Sequence, residues 1–183
     1  LSQFKLWYLQ PGTPELVISL TWDRVSKTAA LKVDQMQPPP PGQPKKQPLH
    51  IPLRLSLLSG NGAPIPLKLD NGQALQNGVL EITKRTQTFH FVDVPSRPVP
   101  SMLQGFSAPV RLTIDLSDRD TEFLIANDAD LFNRWQAANA YATQTLIANV
   151  TALKEGRRAG RGLAFVKALG QAISDKDLNP AYR

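Results

Sequence analysis

The sequence predicts a β-sandwich of the immunoglobulin or fibronectin kind, with about seven antiparallel strands, followed by an α-helical segment of three to four helices. Fifteen of the sixteen prolines lie at or before Pro109, and only Pro180 follows it. Proline breaks helix interiors but is tolerated at strand edges and turns. We therefore expect a β-sandwich domain over residues 1–117. Residues 118–183 are expected to form the N-terminal part of a helical-repeat domain.

Seven runs in the first part have the character of strands. The clearest is Ile51 to Leu58, where four apolar residues alternate with polar ones, as in an antiparallel strand with one buried face. The other six runs are 16–22, 30–36, 65–69, 79–83, 88–92 and 109–116. Gly60-Asn61-Gly62 predicts a hairpin, and Asn71-Gly72 predicts a second turn. The proline-rich segment Gln37 to Pro48 predicts a stiff inter-strand loop, with an SH3-type ligand as the alternative.

The helical part opens at Ser117, which forms a capping-box pattern with Asp120. A second helix is expected to begin near Asp128 or Asp130 and to end at Gly156. Apolar residues recur in it at spacings of three and four, which predicts one apolar face. They are Leu131, Trp135, Ala138, Ala142, Leu146, Val150 and Leu153.

A third helix is expected from Gly162 to Ser174, with Leu163, Val166, Leu169 and Ile173 on one face. Asn179-Pro180 is typical of the entry to a fourth helix. Because the chain stops there and does not begin with Met, we expect it to be a truncated piece of a longer protein. The unfinished helical layer is then expected to leave sticky apolar patches around Trp135 and the third helix.

Composition excludes several classes of site. The chain has 183 residues, 42% apolar and 20% charged, which is ordinary for a globular protein. The absence of cysteine rules out disulfides, thiolate metal sites and a cysteine nucleophile, and it fits a reducing compartment. We expect a cytoplasmic location. No apolar run approaches the length of a membrane span, and residues 1–5 do not resemble a signal peptide.

The net charge of +6 lies mainly in residues 1–117, which carry twelve Lys and Arg against seven Asp and Glu. The densest cluster is Arg157, Arg158 and Arg161, in a glycine-rich stretch between two predicted helices. A solvated loop is favoured there over a phosphate-binding patch. A nucleic-acid-binding domain is a rival interpretation of the basic composition, and it predicts a steep dependence of binding on salt.

No constellation of residues predicts catalysis. His50 and His90 are the only histidines, and His-Glu-x-x-His and Gly-x-Ser-x-Gly are both absent. The acidic run Asp118, Asp120 and Glu122 lacks the glycine and distal glutamate of an EF-hand, so helix capping explains it better than calcium binding. We predict no catalytic, cofactor-binding or metal-ligating residue in this chain.

Trp7-Tyr8 and Trp135 are open to two interpretations. Large aromatic residues at amphipathic positions usually pack in a core or between domains, but they also serve as ligand platforms. The second interpretation belongs to an alternative function, a stand-alone β-sandwich binding module for peptide or carbohydrate. That alternative requires an exposed aromatic platform or an open strand edge. Asn149-Val150-Thr151 matches a glycosylation sequon but lies inside a predicted helix, so we discount it.

Four strings in the chain resemble one family in order and spacing. The segment from Phe4 to Pro14 is similar to the Phe-x-x-Trp-Tyr-x-Gln-x-Gly-Thr-Pro of the bacterial aminopeptidase N family, the alanyl aminopeptidases of the gluzincin class. Lys46 to Pro52 resembles its Lys-Gln-Pro-Leu-His-Ile-Pro. Phe106 to Val110 resembles its Phe-Ser-Ala-Pro-Val, and Phe132 to Ala137 its Phe-x-Arg-Trp-x-Ala. Together these strings extend over most of the chain.

The resemblance implies a function for the whole enzyme that these residues do not carry. Members of the family are zinc aminopeptidases that remove N-terminal residues from peptides, with a broad preference that includes Ala, Arg and Lys. Their zinc motif and their Gly-Ala-Met-Glu-Asn motif lie in an upstream catalytic domain, and neither occurs here. The matching part is a β-sandwich that acts as a spacer, plus the start of a helical domain that caps the active site.

We therefore expect a non-catalytic structural portion of a zinc-dependent aminopeptidase, inert by itself and without a cofactor of its own. Its expected partners are the remaining domains of the same enzyme. Peptides are expected to be substrates of the parent only, and neither nucleic acid nor membrane is expected to bind.

Overall fold

The structure, a computed structural model, describes residues 2–38, 45–160 and 162–174. The chain divides into two compact units, Leu1–Asp115 and Leu116–Arg183. The first consists mainly of two β-sheets and the second of α-helices. The predicted fold class, a β-sandwich followed by a helical segment, is confirmed.

The described residues form nine strands and four α-helices. The strands are β1 (Glu15–Asp23), β2 (Thr28–Met36), β3 (Ile51–Leu58), β4 (Pro64–Ile65), β5 (Lys68–Leu69), β6 (Val79–Ile82), β7 (Thr86–Val92), β8 (Val99–Met102) and β9 (Arg111–Ile114). The helices are α1 (Leu6–Leu9), α2 (Asp118–Asn127), α3 (Leu131–Lys154) and α4 (Leu163–Ser174).

The two sheets of the first unit pack around a shared core. One sheet has the order β5-β7-β2-β1-β9, and in the other β3 pairs with β4, β6 and β8. Inward-facing side chains of both sheets form one cluster. It includes Leu16, Ile18, Leu31, Val33, Ile51, Leu53, Leu55, Leu80, Ile82 and Phe91. Because fully burying each aliphatic side chain contributes about 1.5–3 kcal/mol, this cluster is the main stabilising feature of the sandwich.

The alternation predicted for Ile51 to Leu58 is confirmed, since its four alternate apolar side chains are buried and Arg54 between them is exposed. The predicted hairpin is also present. β3 and β4 pair antiparallel, and the Gly62 N–H donates to Ser59 O at 2.9 Å. At the second turn, the Gly72 N–H donates to Leu69 O at 2.9 Å.

The structure differs from the predicted strand set in three places. The run 65–69 is split around Pro66 into β4, which pairs with β3, and β5, which pairs with β7 in the other sheet. Strand β8 was not predicted, because Pro100 interrupts a run that is buried at all four positions instead of alternating. β9 is not antiparallel: it pairs with β1 in parallel, with Glu15 opposite Arg111.

The helical unit starts as its capping signals predict. Ser117 is the N-cap of α2, and its Oγ accepts from the Asp120 N–H at 3.2 Å. Asp130 is the N-cap of α3, and its carboxylate accepts from the N–H groups of Phe132 and Asn133. α3 ends at Lys154, just before Gly156, whose φ of +71° is easily adopted by glycine. None of the described helices is both long and apolar enough to cross a bilayer.

The small core of this unit consists of Ile125 of α2 with Ala168 and Ala172 of α4. Of the predicted apolar face of α4, Leu169 packs against this core, while Leu163, Val166 and Ile173 are exposed, as expected for an unfinished helical layer. The short alanine side chains, which were not predicted as core, let the helices approach closely.

Some predictions fall outside the described residues. They concern the central prolines of the loop from Gln37 to Pro48, Arg161, and the predicted fourth helix at Asn179-Pro180.

Candidate functional site

The two histidines are far from any metal-binding arrangement. His50 lies just before β3, with its Nε2 3.7 Å from Glu81 Oε2, and His90 is exposed on β7. Among the described residues, no three His, Cys, Asp or Glu side chains could hold one metal ion together. Since a catalytic zinc site uses three protein ligands, the described part of the chain does not fit the zinc ion of the aminopeptidase N family.

The acidic run organises helices. Ser117 Oγ donates to Asp120 Oδ2 at 2.8 Å, in addition to accepting from the backbone, and Asp120 is buried. The Tyr141 hydroxyl on α3 donates to Glu122 Oε1 at 2.8 Å. This hydrogen bond to a carboxylate raises the pKa of Tyr141 to about 12, with desolvation adding to the effect. The side chains of Asp120 and Glu122 therefore serve capping and helix packing.

The segment from Phe4 to Pro14, the first part of the family resemblance, is hydrogen-bonded to the second part, Lys46 to Pro52. Trp7 Nε1 donates to His50 O at 2.9 Å, and the ring packs against the sandwich core. Gln10 is 8% exposed, and its side-chain amide pairs with the backbone of Gln47. Its Nε2 donates to Gln47 O at 2.9 Å, and its Oε1 accepts from the Gln47 N–H at 2.7 Å. Trp7 therefore packs as predicted, whereas Tyr8 is 83% exposed.

A second buried glutamine holds the same loop from the sheet side. Gln35 of β2 donates from Nε2 to Leu49 O at 3.0 Å, and its Oε1 accepts from the Leu49 N–H at 2.6 Å. Like Gln10, it pairs with one backbone residue as a neighbouring strand would. The Gln35 amide satisfies backbone groups of Leu49 that would otherwise be buried without partners, whereas the backbone groups of Gln47 that pair with Gln10 are only partly buried.

The third and fourth strings also serve packing. Ser107 Oγ accepts from the Arg54 N–H at 2.9 Å, and Ala108 is buried in the sandwich core. Arg134 is buried, and its guanidinium donates to Ile125 O at 2.6 Å and to Ala126 O. These are carbonyls of the last turn of α2, which have no partner within their own helix. The sequence alone did not predict this role of Arg134. The arginine of the Phe-x-Arg-Trp-x-Ala string was the feature that could have indicated it.

The arginine cluster and the sequon both lie at the end of α3. Arg157 pairs with Glu155, and Arg158 is exposed. The Asn149 side chain exchanges two hydrogen bonds with the backbone of Gly160, so it closes the connection between the two helices. These contacts account for Arg157 and Asn149 as parts of a helix connection.

An exposed apolar surface is the feature of the helical unit that points to a function. On α3, Trp135 is 56% exposed and contacts Phe132, with ring centroids 5.5 Å apart. On α4, Leu163 is 68% exposed. The exposed apolar side chains of the two helices are together called here the helical apolar surface: Trp135, Leu146, Ile147, Val150 and Leu153 of α3, and Leu163, Val166 and Ile173 of α4. Large exposed apolar areas usually mark sites of protein contact.

Comparison with known families gives two adjacent matches. Residues 12–115 match a domain of unknown function with an Ig-like fold, DUF3458. Residues 118–183 match its C-terminal companion, DUF3458_C, which is described as ARM repeats. Both descriptions agree with the two units of the structure.

Curated relatives match nearly the whole chain. They are aminopeptidase N of Haemophilus influenzae, 37% identical over 99% of this chain, of Escherichia coli, 34% over 99%, and of Caulobacter vibrioides, 33% over 100%. The chain spans only about a fifth of the length of each of these relatives. The resemblance to the aminopeptidase N family found in the sequence is confirmed.

A solved structure shares the fold. Legionella pneumophila aminopeptidase A, crystallised in complex with aspartic acid, matches 98% of this chain with a TM-score of 0.75 and 26% identity. The match covers 19% of that chain.

Proposed function

The chain belongs to the DUF3458 family. We propose that it is a non-catalytic structural portion of a zinc-dependent aminopeptidase. The observation that supports this proposal most directly is the sequence match: nearly all residues of the chain align with about a fifth of each aminopeptidase N relative. Its own polar clusters are engaged in capping and loop closure, which supports a structural role.

Within the longer enzyme, residues 1–117 act as a spacer and residues 118–183 begin a helical domain that caps the active site. The rigid two-sheet core and the closed loops of the first unit suit a spacer. The helical apolar surface suits contact with further helices, because each unit of a helical-repeat array buries its apolar face against its neighbours.

The chemistry of the enzyme belongs to its other domains. We propose that zinc and the peptide substrate are bound there, and that this chain contributes neither a metal ligand nor a catalytic residue. The remaining domains of the same polypeptide are its partners, without a role for nucleic acid or membrane. We also propose a cytoplasmic location, in keeping with a chain that has no cysteine.

Hydrolysis of alanine-aminomethylcoumarin tests this proposal. The 183-residue chain and the longer protein are assayed side by side with zinc supplied. We expect turnover by the longer protein that a chelator abolishes, and none by the chain. Chelator-sensitive turnover by the purified chain would contradict the proposal and would direct the search for a metal site to His50 and His90.

A further inference from the structure

Three segments at one end of the sandwich are tied together by hydrogen bonds. They are residues 2–11, which contain α1, residues 45–50, and residues 83–87, which lead from β6 into the first two residues of β7. Gln3 Nε2 donates to Thr83 O at 2.6 Å and to Pro48 O at 3.0 Å. Arg85 Nη2 donates to Lys46 O at 2.8 Å, and Lys46 Nζ donates to Pro11 O at 2.5 Å. We call these three segments the basic end.

The basic end concentrates positive charge. It carries five cationic side chains and no Asp or Glu: Lys5, Lys45, Lys46, Lys84 and Arg85. Within the described ranges, none of the five forms an ion pair. Two carboxylates contact these segments: Glu81 lies beside His50, and Asp34 accepts from Thr86 and already pairs with Lys32 at 2.8 Å. The basic end therefore keeps a net positive charge.

The same end exposes apolar side chains. Leu6 and Trp7 of α1 pack against the sandwich core, so the opposite side of this turn faces outward. Phe4, Tyr8 and Leu9 are all exposed there, next to Lys5. An apolar centre with charged surroundings is the usual composition of a protein-protein contact.

We propose that the basic end docks against an acidic surface, with apolar residues at its centre, on another domain of the same longer polypeptide. This inference rests on the proposed function, since it requires the chain to be part of a longer aminopeptidase. Charges on segments joined directly by hydrogen bonds reinforce one another within the Debye length of about 8–10 Å. Complementary charge then fixes the orientation of the docked domain. About four fifths of each relative lies outside the matched part, which leaves ample polypeptide to supply that surface.

Zero-length carbodiimide crosslinking of the longer protein tests the proposal, because it joins a lysine amine only to a carboxylate in direct contact. Peptide mass spectrometry then identifies the linked pairs. We expect links from Lys5, Lys45 or Lys84 to Asp or Glu residues outside positions 1–183. Links only within those positions, or none, would overturn the proposal. So would links between two copies, detected by mixing isotopically light and heavy protein.

Two charge-matched variants sharpen this test. Lys5→Glu/Lys84→Glu reverses two cations of the basic end whose side chains have no hydrogen-bond partner among the described residues. Arg24→Glu/Arg111→Glu reverses two exposed cations elsewhere on the same sandwich. Both change the net charge equally. We expect links from Lys45 to be lost in the first variant and retained in the second, and equal loss or equal retention would contradict the docking.

The outcomes separate this inference from the proposed function. Crosslinking does not depend on turnover, so peptidase activity is measured separately on the same untreated protein. Peptidase activity without crosslinks to residues outside positions 1–183 refutes the docking alone. Such crosslinks without peptidase activity refute the aminopeptidase assignment alone. Salt-sensitive binding of a labelled single-stranded DNA oligonucleotide to the basic end, with no external links, would assign the surface to nucleic acid and overturn the proposal.

Discussion

Gly78 is a position where only glycine fits. Its φ is +65°, and an added Cβ would overlap the carbonyl oxygen of Leu55 on β3. Gly78→Ala is therefore expected to lower the free energy of unfolding by about 3 kcal/mol, through both the left-handed backbone and the steric clash. Gly72→Ala is the matched control: its φ is +82°, but nothing lies within 4 Å of the added Cβ, so a loss of about 1 kcal/mol is expected. Urea unfolding of both variants measures the difference, and equal losses would contradict the clash.

Substitution of Gln10 tests how much its side-chain amide, which pairs with the backbone of Gln47, contributes to stability. Gln10→Ala removes two hydrogen bonds to Gln47 and leaves its backbone groups partly buried without partners, so stability should fall by about 2 kcal/mol. Amide hydrogen exchange at Gln47 should accelerate at the same time. Gln73→Ala, at an exposed turn, serves as the control and should change neither quantity. Slow exchange at Gln47 in the Gln10 variant would show that another group holds the loop.

At the residue scale, apolar positions were predictable and buried polar ones were not. The alternation from Ile51 to Leu58 placed Ile51, Leu53, Leu55 and Leu57 correctly, because alternate side chains of a strand lie on the same face of the sheet. Leu58 is buried as well and breaks this alternation. Gln10, Gln35 and Arg134 break the rule that polar residues face water. Each is buried because it satisfies particular backbone groups, and pairing of that kind depends on segments distant in sequence.

At the element scale, α2 and α3 are joined by the hydrogen bond from Tyr141 to Glu122. The pKa of Tyr141 is raised to about 12 from an unfolded value of 10, so the folded state holds this proton more tightly. Its stabilising contribution is complete below pH 10 and is lost as the pH rises from 10 through 12. Urea unfolding across this range should show a decline that Tyr141→Phe removes. Absorbance titration at 295 nm checks the pKa directly, and ionisation of Tyr141 near pH 10 would contradict it.

Capping residues predicted where helices begin more accurately than apolar periodicity predicted which helix face packs in the core. Ser117 was predicted as one start, and Asp128 or Asp130 as the other. Ser117 and Asp130 cap the helices they precede, since a cap is a local interaction. On α4, Leu169 of the predicted apolar face packs against the core, and Leu163, Val166 and Ile173 are exposed, as the expectation of an unfinished helical layer requires. The packing of Ala168 and Ala172 was not predicted, because Leu163 and Ala168 are both apolar and only the neighbouring helices decide which side packs. The parallel pairing of β9 depends on which edge of which sheet the chain reaches after β8. The alternation of apolar residues within β9 does not predict this.

At the scale of the whole molecule, the helical apolar surface predicts a difference between the chain and the longer protein. Leu163→Gln/Val166→Gln is expected to change the stability of the 183-residue chain by less than about 0.5 kcal/mol, because both side chains are already exposed. In the longer protein, where we propose they are buried, the same change should cost about 3 kcal/mol. Thermal and urea unfolding of both forms measure these changes.

The control for this experiment lies on the same helix. Ala164→Gln/Lys167→Gln alters two other exposed positions of α4 and should be nearly neutral in both forms. Dye binding by the chain should also fall in the Leu163→Gln/Val166→Gln variant, because that variant removes exposed apolar area. A neutral effect of Leu163→Gln/Val166→Gln in the longer protein would mean that this part of the surface faces water there.

Function could be predicted from the chain only through its resemblance to a family. Composition, charge and motif spacing excluded cysteine chemistry and known catalytic motifs, but the structural role that we propose needs no reactive group that a motif could reveal. The four strings carried the assignment, and Trp7, Gln10, Ser107 and Arg134 within them form structural contacts. A sequence pattern can therefore identify a family through residues that hold the fold and take no part in chemistry.

The parallel pairing of β1 with β9 has a mechanical consequence. Strand β1 begins at Glu15, after residues 2–11 that are bound to the sandwich, and β9 ends at Ile114. These two strands lie side by side and run in the same direction. Tension between the neighbouring domains would pull the start of β1 and the end of β9 in opposite directions along the strand axes. All hydrogen bonds of the pair would then be sheared at once instead of being unzipped one after another. In the spacer role that we propose, the sandwich would transmit force along its length until the whole β1–β9 contact ruptures.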